Sequence, residues 1–137
     1  MRRGLRIHGT RGSEEVRSAF IRYAKWLRRK YDFPIRVAVY LSPRALLTTM
    51  DGGKAVASFF APFSRTVEPY IRVATGDYLA VKLEHGRYSA LASFLASLSH
   101  EGVHYQRWIR TGGTSERCVT AKAFRMVNRY LATVDEP

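Results

Sequence analysis

His100, Glu101 and His104 stand in the run His-Glu-Gly-Val-His, two imidazoles four positions apart with a carboxylate beside the first. On an α-helix, positions i and i+4 lie one above the other on one face, so both rings can reach a single divalent ion. Glu101 is too close in sequence to serve comfortably as a third ligand. It is well placed to take a proton from a water beside the ion, the general-base role in metal-assisted hydrolysis. Zn2+ suits such donors, and a catalytic zinc site uses three protein ligands and keeps a fourth position open.

The missing third ligand is sought among the acidic residues after His104, which are Glu116, Asp135 and Glu136. The last two lie near the end of the chain, where anchoring is weakest. Glu116 is therefore the candidate: a helix hairpin turning at Gly112-Gly113 would return it to the metal. His8 and His85 have no partner at ligand spacing and read as surface or loop residues.

These residues need elements to hold them. Leu91, Phe94, Leu95 and Leu98 recur at helical spacing and predict a long helix from Arg87 to about Arg110, stopped by Thr111-Gly112-Gly113. Thr114 or Ser115 is expected to cap a final helix reaching about Thr133, with Val119, Ala123, Met126, Val127 and Tyr130 inward. Glu116 then falls in its first turn, and Cys118 reads as a small buried apolar residue.

Upstream, Ser13 is a candidate N-cap, followed by Glu14 and Glu15 in a first turn that favours carboxylates. Val16, Ala19, Phe20, Tyr23, Ala24, Leu27 and Tyr31 form the apolar stripe of this helix, and Arg22, Lys25, Arg28, Arg29 and Lys30 fall largely outside it. Pro34 ends the helix. Ile35 to Leu41, Lys54 to Phe60 and Tyr70 to Thr75 read as three strands, separated by Pro43, Asp51-Gly52-Gly53 and Pro62 with Pro69. The expected class is α+β: a small twisted sheet of about three strands, mostly antiparallel or mixed, packed with an N-terminal helix, the His-bearing helix and a C-terminal helix. Met1 to Gly12 reads as a flexible basic segment.

The 137 residues fit a single domain spanning 1–137, and 46% hydrophobic against 25% charged residues is the balance of a folded soluble protein. No apolar run approaches a membrane span, and the first residues lack the apolar core of a secretory signal, so a cytoplasmic location is expected with no membrane partner. One cysteine cannot close an intrachain disulfide. Lys and Arg number 23 against 11 Asp and Glu, a net charge of +12. Such a chain favours polyanions.

Ile71-Arg72-Val73-Ala74-Thr75-Gly76-Asp77-Tyr78, Ser99-His100-Glu101-Gly102-Val103-His104-Tyr105-Gln106-Arg107-Trp108 and Glu116 heading an Ala-containing helix together resemble the small gluzincin-type metallopeptidases with a minimal zincin domain. The likeness covers about residues 69 to 132. It implies a twisted sheet whose edge strand borders the cleft, zinc ligands His100, His104 and Glu116, base Glu101, and a protein or peptide substrate. Edge-strand pairing with an extended substrate would fall to Tyr70 to Thr75. The chain departs from the family at Thr120, where a supporting acidic residue often stands, and at Gly102 inside the motif. Tyr78, Tyr105 and His85 are unranked candidates for an oxyanion donor. A reading from another class is a basic nucleic-acid-binding protein in which helix 13–31, with Arg3 and Arg6 nearby, docks on phosphates and the zinc is structural.

Overall fold

Ser13 starts the first helix as expected, its Oγ accepting from the Val16 N–H at 3.4 Å. The computed structural model describes residues 2–9 and 11–137. Helix α1 (Glu14–Lys30) buries Val16, Ala19, Phe20, Tyr23, Ala24 and Leu27, and Trp26 joins them. The helix stops where the Tyr31 N–H closes on the Leu27 carbonyl, short of Pro34.

The main sheet has four strands, not about three, and it is mixed. Strand β1 (Leu5–His8) pairs parallel with β2 (Val37–Ser42), which pairs parallel with β6 (Tyr70–Ala74). Strand β5 (Ala57–Phe60) lies antiparallel on the far side of β6. The segment expected to be a flexible basic arm is thus corrected to an edge strand from Leu5 onward. Leu5 is buried opposite Val37, and Arg28 of α1 donates to the Leu5 carbonyl at 2.9 Å. Only Leu5 and Ile7 carry the apolar alternation of this strand, too short a pattern to read against the flanking arginines.

The strand expected over Lys54–Phe60 is interrupted at Val56. Lys54–Ala55 (β4) pairs antiparallel with Leu47–Thr48 (β3) around the Asp51-Gly52-Gly53 turn, and only Ala57–Phe60 enters the main sheet. After β6, Gly76 allows a close crossing: a Cβ there would lie 2.2 Å from the Pro43 carbonyl oxygen. A short helix, α2 (Tyr78–His85), follows and was not expected; Leu79 and Leu83 are solvent-facing, so its pattern shows no inward stripe.

Helix α3 (Arg87–Thr111) closes the core on the sheet face lined by Val37, Val39, Ile71 and Val73, burying Leu91, Leu95 and Leu98. Helix α4 (Val119–Leu131) packs back along α3. The architecture is α+β, four helices with a four-stranded mixed sheet. Among the described residues no helix is long and apolar enough to cross a membrane.

Candidate metal centre

Helix α3 brings the two histidines together as the i, i+4 spacing requires, with ring centroids 5.2 Å apart. His104 points into the protein and is buried, whereas His100 is half-buried. The hairpin to α4 is built by glycine and side-chain ties. Gly112 adopts a left-handed φ of 73°, its N–H closing on the Trp108 carbonyl at 2.8 Å. Arg107 then reaches from α3 to donate to the Ser115 carbonyl at 2.9 Å, and the Arg117 N–H caps on Ser115 Oγ at 3.2 Å.

Glu116 follows from this turn. Its Oε1 lies 2.9 Å from His104 Nε2 and its Oε2 lies 3.3 Å from His100 Nε2. It does not sit in the first turn of the last helix. The helix begins at Val119, so Glu116 is carried on the preceding loop, its side chain 73% exposed. Cys118 is corrected likewise: it is exposed in a left-handed conformation, and Val119 takes the buried place expected for it.

The donor set fits zinc. One ligand atom from each of His100, His104 and Glu116 lies within 4.8 Å of the others. Donors about 2.0–2.2 Å from one tetrahedral ion stand about 3.4 Å apart, so a set spread over as much as 4.8 Å would have to draw together around the ion. Burial lowers the pKa of His104, with the nearby His100 and Arg107 acting the same way and Glu116 opposing, and the neutral imidazole is the ligating form. Supporting contacts are sparse. Thr120, at the position where the family often has a supporting acidic residue, is exposed.

Glu101 is 8% exposed, and burial, reinforced by the Glu116 charge, pushes its carboxyl up to about 7. Together with His100 it lines a cleft of about 560 Å3 whose other walls come from Val56 and Ala57 on the sheet side and Phe124 of α4. The cleft therefore opens beside β5. Strand β6, assigned to substrate pairing by the family resemblance, has β2 on one side and β5 on the other and cannot accept a further strand. The free edge beside the cleft belongs to β5.

None of the oxyanion candidates lines this cleft. The Tyr105 hydroxyl donates to the Ile35 carbonyl from a fully buried position. Tyr78 donates to Glu15 at 2.7 Å, and His85 is exposed at the end of α2, next to Glu84. Trp108 is core, its indole N–H donating to the Pro62 carbonyl at 3.2 Å. His8 is a surface residue stacked on Tyr40. Gly102 is helical, and a Cβ at this position would meet open space. No family model, curated protein or solved structure matches the chain.

Proposed function

We propose that this chain is a zinc-dependent peptidase of minimal zincin type, holding Zn2+ through His100, His104 and Glu116 and hydrolysing peptide bonds with Glu101 as general base. The observation that carries this reading is the convergence of the three donors within 4.8 Å, with one of them, His100, lining the same cleft as the buried Glu101. Zinc held there supplies Lewis acidity, polarising a carbonyl and making water a stronger nucleophile at neutral pH.

The chain's own residues do the rest. Glu101 accepts a proton from the attacking water at its carboxylate, the water oxygen bonds to the carbonyl carbon, and the same proton passes to the departing amine as the C–N bond breaks. An extended peptide adds to the free edge of β5, which borders the cleft, with its backbone groups paired to those of Ala57–Phe60. A purely structural zinc is the weaker reading, since three protein donors leave a position open and a structural site closes with four.

The test is hydrolysis of fluorescein-labelled casein by the zinc-supplied chain. Glu101→Gln is expected to lose activity by about 100-fold or more while keeping its zinc. A zinc-loaded wild-type chain with no turnover over a panel of unstructured proteins contradicts the peptidase reading.

A further inference from the structure

Among the described residues five of the 23 Lys and Arg side chains pair with acids: Arg2 with Glu68, Arg3 with Asp32, Arg17 with Glu14, and both Lys82 and Arg87 with Glu15. Seven of the others gather in one region. Where α1 runs beside α4, Lys25, Arg29 and Lys30 of α1 face Lys122, Arg125 and Arg129 of α4, with Arg110 of α3 at one end. Among the described residues none of these seven enters an ion pair, and no Asp or Glu lines the cavities between them.

Those cavities are contiguous. Of three hollows of about 390, 500 and 320 Å3, the third shares Tyr31 and Arg129 with the first and Trp26, Lys30 and Thr133 with the second, so it joins them into one seam along the α1–α4 join. Its floor is aromatic but closed: Trp26 and Tyr130 pack with centroids 5.5 Å apart and are almost wholly buried, leaving half-buried Tyr31 as the ring at the surface. His100, His104 and Glu116 line none of these hollows, and the cleft beside His100 and Glu101 shares no residue with the seam.

We infer that this seam is a docking surface for the phosphodiester backbone of a nucleic acid. A row of unpaired cations over a concave path releases counterions from a polyphosphate chain, an affinity that is largely sequence-independent and falls steeply with salt. A membrane surface fits less well. Interfacial docking needs apolar side chains projecting beside the cations, yet the freely exposed Leu79, Leu83 and Phe63 lie on α2 and on the loop after β5, and the half-exposed Ile21 of α1 and Phe124 of α4 line none of the seam's hollows. The surface differs from the one read from sequence, helix 13–31 with Arg3 and Arg6. Half of it comes from α4, and Arg28 is withdrawn into its bond with the Leu5 carbonyl.

The inference is independent of the peptidase reading, and its test is run with and without a chelator to keep the two apart. Fluorescence anisotropy of a labelled 20-nucleotide single strand and the matching duplex is measured across a salt series. The full chain is compared with a triple variant in the seam, Lys122→Gln with Arg125→Gln and Arg129→Gln, and with a control triple, Arg6→Gln with Arg11→Gln and Arg44→Gln. Each phosphate contact contributes about 0.7–0.9 to the log–log salt slope, so the seam triple is expected to flatten it by about 2 and to weaken binding at least about tenfold near 0.1 M salt. The control is expected to change little. Equal losses in both triples, a larger loss in the control, no oligonucleotide binding, or binding only to phosphatidylserine vesicles would each overturn the inference.

Discussion

Glu116 Oε1 lies 2.9 Å from His104 Nε2, although the glutamate side chain is 73% exposed and the histidine side chain 7%. The centre therefore has a fixed half and an adaptable half. His104 is held by core packing on α3, while Glu116 is brought over it by a loop whose shape depends on Gly112 and on the tie from Arg107 to the Ser115 carbonyl. An exposed carboxylate placed across two imidazoles has little to gain from a surface ion pair alone. Under the proposed function, shared coordination would give that position a use.

The residue before His100 anchors the helix. Tyr23 OH lies 2.5 Å from Ser99 Oγ in the core, and Ser99 spends its own proton on the Leu95 carbonyl at 2.8 Å, so the phenol must donate. Ser99→Ala leaves that buried phenol without an acceptor and is expected to cost about 1–3 kcal/mol. Tyr23→Phe removes the donor and leaves Ser99 satisfied, so it should cost less, about 0.5–1.5 kcal/mol. Urea unfolding of both variants checks the order; the reverse order would contradict the assignment.

Glu15 joins three elements. Its carboxylate accepts from Tyr78 OH at 2.7 Å, Lys82 Nζ at 2.9 Å and Arg87 Nε at 2.7 Å, and these bonds hold its pKa down to about 2 from an ordinary 4.5. A carboxyl whose pKa is lower in the folded state contributes stability that is complete above its unfolded value and lost as pH falls through the folded one. The melting temperature is thus expected to fall between about pH 4.5 and 2, and Glu15→Gln is expected to flatten that limb. An unchanged acid limb in the variant would assign the loss to other carboxylates.

Gly102 sits in the middle of α3 with open space where a Cβ would go. Gly102→Ala should therefore recover helix propensity, about 1 kcal/mol and about 3 °C in melting temperature, with zinc content unchanged. A loss of zinc in this variant would mean that the glycine serves the site and not merely the helix.

Much of the site was legible because its signals are local. The i, i+4 histidines, the Leu91-to-Leu98 stripe and the glycine stop at Gly112 each depend on residues within a few turns of one another. Glu116 could be named by elimination among acids, but its loop placement could not, because the helix start depends on which of Cys118 and Val119 takes the core position. The sheet was harder. Strand β1 is defined by its parallel partner 32 residues on, Leu5 opposite Val37, and two apolar residues cannot announce such pairing. The family resemblance gives Tyr70 to Thr75 an edge role, but β5 adds antiparallel to the side of β6 away from β2, and no local signal in the sequence marks that pairing. Helix α2 hides because Leu79 and Leu83 face solvent.

The most direct measurement is the zinc stoichiometry of the purified chain after reconstitution, beside His100→Ala, Glu116→Ala and Glu101→Gln. The expected result is about one zinc per chain in the wild type and in Glu101→Gln, with loss from the two ligand variants. No zinc in the reconstituted wild type, or full retention in both His100→Ala and Glu116→Ala, would contradict a metal centre built from His100, His104 and Glu116.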